Sequence, residues 1–246
     1  MKKVFSILAT SAILLLVSCS KEKSIDSTDP DAPGNGGNQP SGRLVKTVIQ
    51  LGLSDSTVTN ISYDGQGRFM RMWLGGTQNL LNDYGDTRVV RNSQGVITSI
   101  ITKDEAGSTT DSLVYTIHYN SGNSRYSAKV LAEEYQGSIY KDSIVYNYNA
   151  SGQITEEIHF ASIDNSPYEE WSKTLFTYTN GNLTQYKGYL FDFDNNAYEQ
   201  MSQIDIEYDN KQSPLVLGVE GILLEQINAV SPNNVTLATV SDLEDP

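Results

Sequence analysis

Few arrangements of residues in this chain suit acid–base chemistry. It has two histidines, His118 and His159, and each falls on the more polar face of a predicted strand. Adjacent carboxylates occur at Glu133-Glu134 and Glu156-Glu157, but neighbours along a strand point to opposite faces of a sheet. Acid–base catalysis by two carboxylates needs both of them to face the substrate. The sequence therefore predicts solvated strand residues, with no catalytic residue, no metal ligand and no cofactor, and the chain is not expected to be an enzyme.

Residues 192–196 (Asp-Phe-Asp-Asn-Asn) resemble the start of a calcium-binding loop. Ala197 stands where that pattern has a glycine, and Gln203 takes the place of the closing glutamate. We therefore expect residues 192–199 to form a polar connection, and no metal is assigned to it.

Aromatic side chains offer a second kind of chemistry, the stacking of a ring on a ligand. The chain has 15 tyrosines and two tryptophans. Counting by twos from Phe176 and Tyr178 places Trp171 on the opposite, wet face beside Tyr168. An indole exposed there would suit a sugar ring, and Trp171, Tyr168 and Tyr198 are the predicted ligand-binding residues. The alternative is that Trp171, at the end of a strand, covers the hydrophobic core.

Within residues 43–246, three Asp-Ser pairs precede an apolar or β-branched residue. This pattern resembles the acceptor sequence of general O-glycosylation in bacteria rich in surface lipoproteins, which makes Ser56, Ser112 and Ser143 candidate acceptors. The alternative is that Asp and Ser end loops where strands begin.

The N-terminal residues have the layout of a secretory signal. Lys2 and Lys3 precede an apolar run over residues 4–17, which is too short to span a bilayer as a helix. The ending Leu16-Val17-Ser18-Cys19 resembles the lipobox of bacterial lipoproteins. The resemblance implies that the Cys19 sulfur receives a diacylglyceryl group, that residues 1–18 are removed and that the new amine is acylated, for example with palmitate. The alternative is an ordinary signal with an incidental cysteine.

Charge and cysteine content limit the partners of this chain. Its formal net charge is −13, and removal of Lys2 and Lys3 with the signal lowers it by two, to −15. Such a charge argues against nucleic acid as a partner and against attachment to anionic lipid through basic residues. Cys19 is the only cysteine, so no internal disulfide is expected, and the acyl chains are the predicted membrane anchor.

The segment that follows the cysteine reads as a flexible tether. Residues 20–42 are rich in Pro, Gly, Asn, Asp and Ser, and Ile25 is their one larger apolar residue. Such a sequence buries too little surface to offset the entropy of ordering it. The predicted organisation is a signal peptide over 1–18, the lipidated Cys19 with its tether over 19–42, and one β domain over 43–246.

A repeat of about 28 to 30 residues runs through the β domain. Each copy has turn residues between two segments of alternating apolar and polar residues, such as Leu113, Tyr115, Ile117 and Tyr119 against Val114, Thr116 and His118. The copies begin at Tyr63, Arg91, Tyr119, Tyr148, Tyr178 and, in degenerate form, Tyr208. Six hairpins predict an all-β antiparallel meander of roughly twelve strands, curled into a half-barrel or barrel, with tight turns at one end and longer loops at the other.

The tail differs from the repeats. Val219, Leu223, Leu224 and Ile227 have the spacing of a short amphipathic helix, which would plug the sheet or cover an open edge. Residues 235–240 read as a last strand. The predicted longer loops cover residues 104–111, 135–142, 164–170 and 192–199.

Two family resemblances follow from these residues. The copy over residues 63–68 (Tyr-Asp-Gly-Gln-Gly-Arg) resembles the tyrosine-aspartate repeats of bacterial cell-surface shells. Residues 43–240 are similar to a domain-of-unknown-function family of Gram-negative lipoproteins with a porin-like β-fold, on the hairpin copies, residues 208–215 and residues 231–235. This resemblance implies a fold and a location in the cell envelope, but no activity.

The function expected from the sequence is that of a non-catalytic lipoprotein of the cell envelope. Such a lipoprotein lies in the outer membrane, on its periplasmic or its outer face, and binds a ligand such as a glycan or a protein partner. The alternatives are a structural or accessory subunit of an outer-membrane complex and, with least support, a hydrolase.

Overall fold

The computed structural model describes residues 44–51, 55–75, 85–103, 112–135, 138–164 and 166–242. Within them, thirteen antiparallel strands form one sheet whose strand order equals the order in the sequence. This confirms the predicted all-β meander. The strands are β1 (Lys46–Leu51), β2 (Asp55–Tyr63), β3 (Phe69–Gly75), β4 (Asp86–Arg91), β5 (Ile97–Lys103), β6 (Ser112–Asn120), β7 (Arg125–Tyr135), β8 (Ser138–Tyr148), β9 (Ile154–Ile163), β10 (Glu169–Thr179), β11 (Asn182–Asp192), β12 (Ala197–Gln212) and β13 (Asn233–Asp242).

The tight turns have the chemistry that their residues predict. Gly67, Gly95 and Gly152 adopt φ of 75°, 85° and 82°, and each closes a turn by donating its amide to the Asp or Asn three residues earlier. Asn180 and Gly181 both have positive φ, 53° and 85°, as a type I′ turn requires. These turns lie at one end of the sheet, the turn end, and the other connections lie at the opposite loop end.

Alternation along β6 follows the prediction. Ile117 is buried, whereas Val114 on the opposite face remains 47% exposed. Residues directly opposite each other in neighbouring strands share a face, so the strand pairing extends this assignment across the sheet. We call the face that carries Ile117 the inner face; its buried side chains form the hydrophobic core.

The sixth repeat differs from the other five. Its hairpin pairs β12 with β13, and residues 213–232 replace the tight turn expected after Tyr208. This inner segment contains helix α1 (Val219–Leu223) and a 3₁₀ helix (Ile227–Ala229), and it buries Ile222, Leu223 and Leu224 in the core. The six hairpins thus give the twelve strands expected, and β1 adds the thirteenth.

The sheet curls around the inner segment. Leu44 beside β1 donates its amide to the Pro214 carbonyl, and Leu183 of β11 donates its amide to the Ser231 hydroxyl. Strands from both ends of the sequence therefore contact the same twenty residues. Within the described ranges, β1 and β13 remain the two unpaired edges, so the curl is open. No helix in these ranges is long and apolar enough to cross a membrane.

Two of the predicted long loops are shorter than expected. Tyr135 pairs with Ser138, so only residues 136–137 connect β7 to β8, and predicted loop 135–142 is largely strand. The connection between Asp192 and Ala197 is likewise a short turn, because those two residues pair. Polar residues at these positions lie on strand faces rather than in loops. The predicted loop 104–111 lies outside the described residues.

Candidate functional site

A hollow lies at the turn end between two neighbouring hairpins. It separates the β6–β7 turn, residues 121–124, from the β8–β9 turn, residues 149–153. Its volume is about 280 Å³, and a second hollow of about 200 Å³ adjoins it. We call this pair the turn-end groove; the larger hollow is lined by Asn123, Ser124, Arg125, Tyr126, Tyr148, Gly152 and Val219.

The local sequence shapes both walls of the groove. Asn120 accepts the Gly122 amide on its side-chain oxygen at 2.9 Å, which starts the first turn, and Ser124 ends it with a φ of 55°. In the second turn, Asn149 accepts the Gln153 amide at 3.0 Å, and Gly152 has open space around its α-carbon. Both walls are therefore fixed by Asn-centred hydrogen bonds within the turns.

Arg125 is the one charged residue among the described residues that line the groove. Its guanidinium carbon lies 5.0 Å from the centroid of the Tyr148 ring, and its Nη2 donates to the Asn149 carbonyl at 3.3 Å. Among the described residues, Arg125 has no carboxylate partner. Tyr148 is held in turn, because its hydroxyl donates to the Tyr126 carbonyl at 2.8 Å. The guanidinium is thus positioned by a ring and leaves most of its donors free.

Tyr126 connects the floor of the groove to the inner segment. Its hydroxyl accepts the Ile97 amide at 3.2 Å and donates to Glu220 of α1 at 3.1 Å. Burial raises the pKa of Tyr126 to about 12, so the hydroxyl stays protonated and can donate. Glu220 also receives two hydrogen bonds from Arg91 at 2.6 and 2.7 Å. These contacts fix the start of the inner segment beside the groove.

A second group of polar side chains lies on the inner face, closer to the loop end. We call Lys129, Asp142, Glu157, His159 and Glu225 the inner polar cluster. Lys129, 4% exposed, donates to the Glu225 carboxylate at 2.7 Å and to the Leu223 carbonyl at 3.2 Å. The Glu225 side chain is 68% exposed although protein surrounds it closely. Its carboxylate therefore faces solvent inside the curl.

The position of His159 corrects the sequence prediction. His159 pairs with Ile144 across β8 and β9, which places it on the inner face with the core rather than on a solvated face. Its Nε2 lies 3.6 Å from the Glu157 carboxylate. His118, by contrast, is exposed as predicted. The alternation in β9 gave the wrong face for His159 because the inner face carries polar residues, such as Glu157, toward the loop end.

Burial and neighbouring charges shift the pKa values of three members of the cluster. Burial by itself lowers the pKa of His159, but Glu157, Asp142 and Glu225 offset this and raise it. Burial raises the pKa of the Asp142 carboxyl, and Lys129 lowers that of Glu225. Asp142 Oδ1 is buried without a hydrogen-bond partner among the described residues.

Trp171 lies on the inner face because a β-bulge changes the count by twos. Glu170 pairs with Phe160 and Ser172 pairs with His159, which leaves Trp171 as the extra residue of β10. Its ring contacts the His159 ring edge-on, with 5.6 Å between centroids, and its indole nitrogen is buried without a partner in the described chain. This corrects the expected wet-face position and agrees with the alternative that Trp171 packs toward the core.

The other two predicted ligand-binding residues lie away from Trp171. The Tyr198 ring contacts Lys173, whose Nζ is 3.8 Å from the ring centroid, on the outer face. Tyr168 is exposed just before β10. The structure therefore does not join Trp171, Tyr168 and Tyr198 into one aromatic surface.

The remaining predicted sites give a mixed result. The Asp192 carboxylate accepts hydrogen bonds from Asp194 and Asn195 inside its own turn. In the described ranges no group of three or more His, Cys, Asp or Glu residues could hold a metal ion. Ser112 is exposed at the start of β6, and Ser143 is half-buried within β8. Cys19 and the side chain of Ser56 lie outside the described residues, and glycosylation stays a prediction.

Sequence reasoning missed Arg125 and the inner polar cluster. One signal for Arg125 is its place at the end of a turn. The other complete copies carry a neutral residue there or, at Arg68, an Arg with an Asp four residues earlier. No local signal indicates the cluster, because its members come from β7, β8, β9 and the inner segment.

Comparisons with known proteins give fold likenesses only. No known family matches the chain, and no curated protein matches it either. The chain is similar to a porin-like protein from Bacteroides vulgatus ATCC 8482, with 14% identity, a TM-score of 0.40, and coverage of 81% of this chain and 82% of that chain. It is similar to TcdB2-TccC3-TEV with 9% identity, a TM-score of 0.31, and coverage of 64% of this chain and 10% of that chain. It is also similar to a protein with unknown function from Bacteroides fragilis NCTC 9343, with 10% identity, a TM-score of 0.19, and coverage of 61% of this chain and 91% of that chain. At these TM-scores the function rests on the chain's own residues.

Proposed function

We propose that this chain is a non-catalytic, ligand-binding lipoprotein of the cell envelope, anchored in the outer membrane through lipid on Cys19. Its curled β domain accepts a small ligand in the turn-end groove. One observation carries the proposal: a formed hollow of about 280 Å³ in which a ring holds Arg125 with its donors free. Ligand sites combine a concave surface with a few positioned polar groups, and this groove has both.

The binding proposal is tested with the full chain purified in detergent. A panel of neutral sugars, small carboxylic acids and small amines is screened by the shift in melting temperature. Asn123→Trp places an indole at the mouth of the groove, and Gln94→Trp makes the same change at the exposed β4–β5 turn. At least one compound should stabilise the wild type and Gln94→Trp but not Asn123→Trp. No stabilising compound, or an equal response of Asn123→Trp, would contradict the proposal.

The anchor is tested separately by Cys19→Ser in a Gram-negative host. Without the sulfur no diacylglyceryl group can be attached, so the protein should move from the membrane fraction to the soluble fraction while the β domain stays folded. Palmitate labelling should be lost in the same variant. Persistent membrane association would contradict the lipid anchor.

An accessory subunit of an envelope complex is the second candidate. Large apolar side chains are exposed near the loop end, among them Ile139, Ile163 and Phe193. Large apolar side chains exposed on a surface are candidates for protein contacts. Ile163→Ser with Phe193→Ser should then shift the protein from a larger species to the monomer on native gels of envelope extracts. Unchanged migration would argue against this candidate.

A further inference from the structure

The free polar groups of the turn-end groove are mostly hydrogen-bond donors. Arg125 has five N–H groups and uses one of them, in a long bond to the Asn149 carbonyl. The side-chain oxygens of Asn120 and Asn149 are already occupied by amides of their own turns. Asn123 and Ser124 are exposed and make no side-chain hydrogen bond within the described residues. A ligand seated here meets donors that need acceptors.

Arg125 also differs from the paired arginines of the described chain. Arg68, Arg71 and Arg91 each reach a carboxylate at 2.6 to 2.7 Å. Arg125 lacks such a partner although the chain has 30 acidic residues against 17 basic ones. An unpaired guanidinium in so acidic a chain leaves a local positive charge that a ligand can satisfy.

The guanidinium is held for this role before any ligand arrives. Tyr148 stacks on it at 5.0 Å, and the hydrogen bond from Tyr148 to the Tyr126 carbonyl holds the ring. Little side-chain entropy therefore remains to be lost when a ligand binds. The planar fork of Arg matches the two oxygens of a carboxylate.

We propose that the ligand of the turn-end groove is a small molecule that carries a carboxylate, which Arg125 binds through two parallel hydrogen bonds. Asn123 and Ser124 lie where they can donate to the rest of the ligand, and Tyr148 and Val219 provide its apolar contact. A hollow of about 280 Å³ suits a molecule of monosaccharide size, below the range of drug-sized ligands. This inference rests on the proposed function and names the ligand class of the same site.

The test compares two probes that differ in one group, glucuronate and glucose. Calorimetric titration uses the full chain in detergent, with Arg125→Met, Arg125→Lys and the control Arg88→Met. Arg88 is an exposed arginine on β4 with no ion pair in the described chain, so its loss removes the same charge elsewhere. Glucuronate should bind the wild type and Arg88→Met alike. Arg125→Met should weaken it by about 10- to 100-fold, the usual value of hydrogen bonds to a charged group. Arg125→Lys should recover only part of this, because an ammonium lacks the fork.

The outcomes separate the two proposals. If glucose binds as well as glucuronate and Arg125→Met leaves both unchanged, the carboxylate inference is overturned while binding in the groove stands. If Arg88→Met weakens glucuronate as much as Arg125→Met does, the effect comes from net charge and the inference fails. If neither probe binds and no compound of the wider panel stabilises the wild type, the proposed function fails as well. Circular dichroism of each variant shows that it is folded.

Discussion

The two halves of the inner face differ in what covers them. Toward the turn end, residues 213–232 lie inside the curl and bury Leu223 completely. Toward the loop end, the same face carries the inner polar cluster, where Glu225 faces solvent. Both halves belong to the same repeated hairpins. The difference arises because the sixth repeat places twenty residues in its turn, and these fill the turn end but reach the polar cluster only through Glu225 and the Leu223 carbonyl.

This difference separates a region that stabilises the fold from one that responds to pH. In the turn half, apolar burial and the buried pair of Arg91 and Glu220 fix the inner segment. In the loop half, titratable groups face one another across β7, β8 and β9. The turn-end groove lies at the outer edge of the stable half, which suits a site that must be formed in advance.

The largest effect should come from the packed half. Leu223→Ala removes a fully buried side chain and leaves a cavity between α1 and the sheet. We expect a loss of about 3 to 4 kcal/mol in the free energy of unfolding, measured by urea denaturation. Leu237→Ala, at a side chain that is 42% exposed on β13, should cost less than about 1 kcal/mol. Equal losses would mean that the inner segment does not stabilise the sheet.

Of the two ion pairs of the inner segment, the one toward the turn end should contribute more to the free energy of unfolding. Glu220→Gln leaves the Arg91 charge buried, and we expect it to cost about 3 kcal/mol in the free energy of unfolding. Glu225→Gln also leaves a buried cation, Lys129, but water reaches the carboxylate end of this pair, so we expect a smaller cost of about 2 kcal/mol. The same urea denaturation measures both variants. A larger effect at Glu225 would reverse the comparison.

The smallest effect is a pH dependence of the free energy of unfolding that comes from the inner polar cluster. Because the pKa of His159 is raised above its usual 6.5, its proton stabilises the folded state fully below that value, and this contribution is lost as pH rises through the folded pKa. The free energy of unfolding should therefore fall as the pH rises above 6.5. Glu157→Gln removes a carboxylate that raises this pKa, so the fall should shrink.

Other members of the cluster act in lower pH ranges. Because the pKa of Asp142 is raised, its protonated carboxyl stabilises the folded state at low pH, and this contribution is lost as pH rises above 3.8, as for His159. The pKa of Glu225 is lowered, so the opposite holds: its charged carboxylate stabilises the folded state above pH 4.5, and this contribution to the free energy of unfolding is lost on acidification. An NMR titration of the His159 ring in the wild type and Glu157→Gln measures the histidine alone. An unchanged midpoint would contradict the assigned role of Glu157.

Much of the fold could be predicted because its signals are local. A type I′ turn requires positive φ at two residues, which Asn180-Gly181 adopt readily, and the alternation in β6 shows which side chains face inward. A β-bulge has no comparable signal, and the one at Trp171 moved that ring to the other face. The predicted aromatic site failed to assemble for this reason, although the hairpin that carries Trp171 was predicted.

The sequence by itself determined the repeat, the turns, the all-β meander and the charge of this protein, because each depends on residues within a few positions of one another. The tertiary structure decided where the inner segment lies, that Lys129 meets Glu225, and that Arg125 stacks on Tyr148 beside an open hollow. Those contacts join residues from 23 to 96 positions apart. Lys129 meets Glu225 only when the sheet curls around the inner segment, whereas Arg125 meets Tyr148 because β7 and β8 pair side by side.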